Sequence, residues 1–128
     1  MEKNNIDIFD ELVAEVFAKL YAAFPIPCRL CLEEITTIDQ ENKDFWIPTI
    51  KWLSESGYIN CGSPKFSGDI PGVVLTHKGL ELMKIPSSLK NDDSIGDSLL
   101  KAVKSGGSEA AKSLIKIGMT EGFKLFSS

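Results

Sequence analysis

A mainly α-helical domain with one small β-hairpin is the fold class that this sequence predicts. In the stretch Phe9–Phe24, apolar residues recur every three or four positions, which is the period of a helix. The run Asp44–Ile59 predicts a helix that stops at Gly57 and continues at once into a strand. A second short apolar run, Val73–Leu75, follows a loop rich in Gly and Pro. Together these features predict helices packed around a hairpin.

The composition is that of an ordinary soluble globule of 128 residues. No apolar run approaches the roughly 20 residues that a membrane span needs. No signal-peptide pattern opens the chain. Three cysteines, an odd number, agree better with a reducing compartment than with a disulfide framework. We therefore expect a cytoplasmic protein.

The net charge of −4 is unevenly distributed along the chain. Residues 1–60 hold five Lys and Arg against eleven Asp and Glu, whereas residues 61–90 hold four against two. Affinity for DNA comes largely from cations that neutralise phosphates. The acidic first half therefore disfavours tight binding to duplex DNA.

The first helix is predicted to begin with Asp7 as its N-cap. Pro25 and Pro27 end it, because proline lacks the amide hydrogen that a helix interior needs. Arg29–Leu30 is then a candidate for a very short strand, and Leu32–Ile35 for a short second helix. The apolar stripe of the first helix comprises Phe9, Leu12, Val13, Val16, Phe17, Leu20 and Phe24.

The third helix is predicted to begin near Asp44. Pro48 then lies close to its first turn, where a missing amide hydrogen has little effect. Ile50 and Leu53 face the core, and Gly57 takes the position just after the helix.

A hairpin and a further helix follow. The predicted strands are Tyr58–Cys61 and Val73–Leu75, and the long loop between them, Gly62–Gly72, carries three Gly and two Pro. Thr76 is expected to cap the helix His77–Lys84.

Two of these segments resemble the winged helix-turn-helix family. Thr49–Ile59 (TIKWLSESGYI) is similar to the family's pattern of a helix ending in Leu, three mostly polar residues, Gly and an aliphatic strand. Val74–Met83 (VLTHKGLELM) is similar to the family's exit from the wing strand through Leu-Thr-x-x-Gly into a helix. With the element order, the resemblance covers residues 6–86. It implies a winged-helix domain at residues 1–86.

Residues 87–128 are predicted to form a linker, Ser87–Asp93, and a two-helix appendage that serves packing or dimerisation. In the first helix of the appendage, Ile95, Leu99, Ala102 and Val103 share a face. Gly106 and Gly107 then break the chain, and Ser108 can cap the last helix.

The last helix carries Gly118 and Gly122 one turn apart, a spacing that lets another backbone approach closely. Three partners stay open: its own domain, a second copy that exchanges this helix, or a membrane surface, since Lys112, Lys116 and Lys124 accompany the apolar face. The predicted interface residues of this helix are Leu114, Ile115, Gly118, Met119, Gly122, Phe123 and Phe126.

The family resemblance implies one function for the third helix. In DNA-binding members this helix lies in the major groove. The alternative function is therefore that of a DNA-binding transcriptional regulator, with Thr49 and Lys51 on the helix and Lys65 on the wing as its contacts.

The outward face of the third helix has a different chemistry. Phe45, Ile47 and Trp52 would place apolar area in a wet, charged groove. An exposed apolar patch rimmed by charge usually marks a macromolecular contact. Three explanations stay open: the C-terminal helices cover the patch, the patch is a homodimer seam or partner site, or these residues belong to the core.

The candidate chemical sites are weak. Cys28 and Cys31 form a CxxC pair, but Cys61 and His77 do not supply the second pair of ligands that a zinc site commonly has. A thioredoxin-like setting for redox chemistry is absent. The single histidine has no evident nucleophile beside it. We therefore expect no metal, no cofactor and no catalysis. The predicted function is that of a non-enzymatic module or regulator that acts through protein–protein contacts as a homodimer.

Overall fold

The structure, a computed structural model, describes residues 4–35, 40–65, 67–88, 91–106 and 108–126. Within these ranges it is mostly helical, with five α-helices and small antiparallel sheets, so the predicted mainly α fold with a small β component is confirmed. Two 3-10 segments, Leu32–Glu34 and Gln40–Phe45, precede the second helix. The elements are α1 (Asn5–Ala23), β1 (Cys28–Leu30), α2 (Trp46–Glu55), β2 (Ile59–Asn60), β3 (Ile70–Leu75), α3 (His77–Lys84), β4 (Pro86–Ser88), β5 (Asn91–Ser94), α4 (Ile95–Lys104) and α5 (Ser108–Phe126).

Helix α1 is the centre of the core, because α2, α4, α5 and β3 all contact it. Every residue from Asp10 to Ala18 is buried, so this helix is enclosed rather than one-sided. The predicted stripe is buried from Leu12 to Leu20, while Phe24 beyond the helix end is exposed. Enclosure also buries polar positions of the helix, among them Asp10.

The start of α1 lies earlier than predicted. Asn4, not Asp7, is the N-cap, and its Oδ1 accepts a hydrogen bond from the Asp7 amide at 2.8 Å. Asn and Asp are comparable as caps, so propensity alone did not separate the two positions. The earlier start adds Asn5, Ile6 and Asp7 to the helix. Asp7 becomes a first-turn carboxylate, which the helix dipole favours.

The three-stranded sheet has the order β1-β3-β2, and both pairings are antiparallel. Cys28 lies opposite Val73, and Ile59 lies opposite Leu75. Strand β3 begins three residues before the predicted strand because Leu30 of β1 pairs with Ile70. The predicted short helix at 32–35 is a single 3-10 turn.

Helix α2 begins at Trp46, with Pro48 in its first turn, and buries Ile50 and Leu53 as the sequence predicts. Trp46 is also buried, and its indole N–H donates a hydrogen bond to the Gly68 carbonyl oxygen at 2.7 Å. This bond ties the start of α2 to the loop before β3.

Thr76 joins three elements. Its Oγ1 accepts a hydrogen bond from the Gly79 amide at 3.1 Å, which caps α3 as predicted. The same hydroxyl donates to the carbonyl oxygen of Gly57. Gly57 has φ 85°, in the left-handed region that favours glycine, and it ends α2 as predicted.

The segment predicted as a linker forms a hairpin instead. Strands β4 and β5 pair antiparallel with Pro86 opposite Ser94, and the Ile95 amide donates to the Ile85 carbonyl oxygen at 2.7 Å. Helices α4 and α5 then share one apolar core with α1, through residues such as Leu99 and Ile115. None of the helices in the described ranges is both long and apolar enough to cross a membrane.

Candidate functional site

The outward face of α2 is apolar and open to solvent. Trp52 is 45% exposed and Ile47 is 37% exposed, and Pro48 beside them is exposed too. Phe45, just before the helix, is partly buried against the core. Trp52 and Ile47 therefore do not belong to the core, and the described part of α5 does not cover them.

Two aromatic rings hold Trp52 in place. Its ring stacks on Tyr58 at a centroid distance of 6.1 Å and an interplanar angle of 23°. Phe9 of α1 meets it nearly perpendicularly, at 5.2 Å and 89°. Offset and perpendicular arrangements are the favourable geometries for aromatic pairs. The exposed indole is therefore ordered before any partner arrives.

Two clefts open on either side of this aromatic cluster. Ile6, Phe9 and Trp52 line both of them. One, the α1–α2 groove, is completed by Asn5, Phe45, Pro48 and Thr49. The other, the Asp10 cleft, is completed by Asp10, Ser56, Tyr58, Lys78 and Met119.

The Asp10 cleft contains a buried carboxylate. Asp10 is 5% exposed, and its Oδ2 has no hydrogen-bond partner among the described residues. Burial raises the pKa of Asp10 above its ordinary value, and Asp7 raises it further, while Lys116 and Lys112 act in the opposite direction. The charged form of Asp10 is therefore disfavoured in the folded protein.

A lysine already lies against the aromatic wall of this cleft. The Nζ atom of Lys78 lies 4.5 Å from the centre of the Tyr58 ring. The same ammonium donates a hydrogen bond to the Ser56 carbonyl oxygen at 2.9 Å. An ammonium group over an aromatic face at this distance is a favourable cation–π contact.

Ion pairs link α5 to the start of α1. Lys112 Nζ lies 3.7 Å from Asp7 Oδ1 and 3.0 Å from Glu109 Oε1, and Lys116 Nζ lies 3.6 Å from Asp7 Oδ1. The ammonium groups of Lys112 and Lys116 therefore pair with α1. The side chain of Lys124 lies outside the described residues.

The first half of α5 is used within its own chain. Ile115 is fully buried, and Leu114 and Met119 are partly buried against the core. A Cβ atom on Gly118 would lie 2.8 Å from Leu82 Cδ2, so this glycine makes room for a side chain of α3. The other predicted interface residues of this helix, whose side chains lie outside the described part, are Gly122, Phe123 and Phe126.

The residues of the DNA-binding alternative are not equally placed. Lys51 is exposed on the same face of α2 as Trp52, and Lys65 is exposed in the loop between β2 and β3. Thr49 is only 3% exposed, so its side chain is not presented to a groove. One exposed cation per element is a sparse footprint for phosphates.

The cysteines are free thiols in the described structure, with Cys31 buried and Cys28 and Cys61 half-buried. His77 is exposed, with its Nε2 4.0 Å from Glu81 Oε1. Within the described ranges, no three His, Cys, Asp or Glu side chains are placed to hold a metal ion.

Sequence reasoning missed most lining residues of the two clefts, among them Ile6, Phe9, Asp10 and Tyr58. Phe9 was assigned to the core stripe, and Tyr58 to a strand. The packing of α1 against α2 brings Phe9 to Trp52, whereas Tyr58 reaches Trp52 from the residues just after α2.

No protein-family model matches this chain, and no curated protein or solved structure is significantly similar to it. Its function is therefore argued from the geometry and charge of this surface.

Proposed function

We propose that this chain is a non-enzymatic winged-helix module that acts through protein–protein contacts and forms a homodimer. The contact surface comprises the exposed face of α2 and the start of α1, with Ile6, Ile47 and Trp52 at its centre. The observation that carries the proposal is the exposure of Trp52 together with its fixation by Phe9 and Tyr58.

The arrangement around α2 supports the winged-helix part of the proposal. Helix α2 runs through Gly57 into β2, and the long loop that follows returns as β3. Strand β1, between the first helix and α2, adds the third strand to this hairpin. The succession of α2, β2, long loop, β3 and α3 agrees with the second half of the order that the family resemblance implies.

The chemistry of the surface supports a protein partner. Trp is enriched among the residues that dominate binding energy at protein interfaces, especially in well-packed, desolvated positions. An indole that is already ordered loses little side-chain entropy on binding. At roughly 25 cal/mol per Å², burial of the exposed parts of Trp52, Ile47 and Ile6 would stabilise a complex by several kcal/mol.

A second copy is the proposed partner, and the α2 face is the proposed seam. Ile115 and Gly118 of α5 are occupied within the chain, so they do not offer an apolar surface to another molecule. The α2 face is open and can meet its own equivalent around a two-fold axis, the commonest symmetry of homo-oligomers.

Light scattering across a concentration series tests this function. Trp52→Arg is expected to weaken the dimer at least thirtyfold in Kd, because loss of a central Trp anchor costs about 2 kcal/mol or more. Ile117→Arg is the matched control, since Ile117 is equally exposed (40%) but lies on α5. It should leave the dimer intact. A wild-type chain that stays monomeric, or a Trp52→Arg dimer of unchanged Kd, would contradict the homodimer.

Titration of duplex DNA at several salt concentrations separates the proposal from the DNA-binding alternative. We expect weak binding with a shallow salt dependence, because Lys51 and Lys65 neutralise few phosphates. Submicromolar affinity at moderate salt with a steep slope would replace the protein-contact function by DNA binding.

A further inference from the structure

The Oδ2 atom of Asp10 is buried and accepts no hydrogen bond from the described residues. An ionised carboxylate only accepts hydrogen bonds, and a buried acceptor without a partner carries a desolvation penalty of about 1–3 kcal/mol or more. Asp10 is one of the residues that line a cleft, so the unpartnered oxygen lies at the wall of that cleft and not in the middle of the core. A ligand that brings a donor through this cleft removes the penalty.

The walls of the cleft fit a cationic group on an apolar stem. Phe9, Trp52 and Tyr58 provide aromatic surface, and aromatic faces attract ammonium and guanidinium groups. Lys78 shows this preference within the protein itself, since its ammonium lies over Tyr58. Lysine and arginine side chains combine a methylene stem with a donor-only head, which matches both features.

We propose that the Asp10 cleft binds a lysine or arginine side chain of a polypeptide partner, with its stem against Phe9 and Trp52 and its charged head on the Asp10 carboxylate. The proposal rests on the proposed function, because the partner is the second copy of this chain and the anchor is one of its basic residues. A complementary basic residue also agrees with the acidic balance of residues 1–60.

The described lysines near the cleft are engaged by other groups, so the position beside the Asp10 carboxylate is left to a residue of the partner. Lys78 donates to the Ser56 carbonyl oxygen and lies over the Tyr58 ring. Lys112 and Lys116 act on Asp10 through space, but their ammonium groups form ion pairs with Asp7. Met119 lies beside the carboxylate in the cleft lining, and its unbranched side chain can move aside to admit a ligand.

NMR titration of the full-length chain tests the proposal, at a protein concentration where light scattering finds monomer. The probes are the N-acetyl methylamides of arginine and lysine, and the neutral controls are those of citrulline and norleucine. The readout is the indole N–H signal of Trp52, which is assigned by its loss in Trp52→Phe. We expect a saturable shift with the basic probes and at least tenfold weaker binding of the neutral ones.

Two variants locate the effect. Asp10→Asn should weaken binding of the arginine probe at least tenfold, because the carboxylate is lost while the apolar walls stay. Glu55→Gln removes an exposed carboxylate of α2, outside the cleft lining, and should leave binding unchanged. Equal binding of arginine and citrulline probes, unchanged binding by Asp10→Asn, or no saturable shift would each overturn the inference. If Trp52→Arg disrupts the dimer but the cleft shows no preference for cationic probes, the inference about Asp10 is overturned and the proposed function still stands.

Discussion

The burial of Asp10 makes the stability of the protein depend on pH. Its pKa is raised above the ordinary 3.8, chiefly because burial disfavours the charged form. The folded protein therefore binds this proton more tightly than the unfolded chain does. The free energy of unfolding then falls as pH rises from about 3.8 through the raised pKa, and the loss levels off above it.

Asp10→Asn should remove this pH-dependent penalty. We expect the variant to gain stability relative to the wild type as pH rises from 4, with the difference reaching a plateau near neutrality. Urea unfolding at a series of pH values measures it. Glu55→Gln, at an exposed position, serves as the control and should follow the wild-type curve. A difference between Asp10→Asn and wild type that shrinks as pH rises would contradict the raised pKa.

The two tryptophans of α2 show how the surroundings of a residue set its role. Trp46 and Trp52 are chemically identical, yet Trp46 is buried and bonded to Gly68, while Trp52 stands at the surface between Phe9 and Tyr58. Six positions separate them on the helix, which places them on different faces. Periodicity from Leu53 is sufficient to predict that Trp52 points outward.

Among the elements, α5 has an apolar side that is already occupied along the part whose side chains the structure describes. Ile115 is fully buried against the core, whereas Ile117, two positions further, is exposed. The ion pairs of Lys112 and Lys116 with Asp7 hold the same helix to α1. The helix therefore packs on its own chain along its described first half.

Ile115→Ala should destabilise the protein by about 2–5 kcal/mol, because it leaves a cavity where α5 meets the core. Ile117→Ala removes the same atoms from the surface and should change the free energy of unfolding by about 0.5 kcal/mol or less. Chemical denaturation at two protein concentrations gives both values. If α5 docks within its own chain, the difference in free energy of unfolding between the two variants is the same at both protein concentrations. Equal effects of the two substitutions would mean that α5 is not docked on this core.

At the scale of the whole molecule, the C-terminal helices are part of a single core rather than an attachment to a finished domain. Both α4 and α5 contact α1, and the buried residues Ile95, Leu99, Ala111 and Ile115 belong to the same apolar cluster as Phe17. Each fully buried large aliphatic side chain contributes about 1.5–3 kcal/mol. Several of them together equal the roughly 5–15 kcal/mol of net stability that a domain has.

A chain that ends at Pro86 is therefore expected to lose cooperative folding. Its α1 would expose to water the surface that α4 and α5 now cover. Thermal unfolding followed by near-ultraviolet circular dichroism, with the full chain as control, measures the result. A sharp transition and a native aromatic signal in the shortened chain would instead show that residues 1–86 fold alone.

Local sequence features predict most of the helices, several of their ends and the exposed side of α2. These features depend on local physics: helical periodicity in α1, the missing amide hydrogen of Pro25, the left-handed conformation available to Gly57, and the hydroxyl cap of Thr76. The hairpin β4–β5 escaped prediction because its polar residues pair through the backbone and show no apolar alternation.

Only the tertiary structure decided what surrounds Trp52 and where the C-terminal helices lie. The cleft contains Trp52 together with Phe9 and Asp10, which are far from it in sequence, and Tyr58, which lies beyond the end of α2. The packing of α1 against α2 and α5 brings these residues together. The burial of Asp10 has the same origin, since a helix covered on all sides must also bury its polar positions. Local pattern fixes which residues can face inward, whereas long-range packing fixes what they meet.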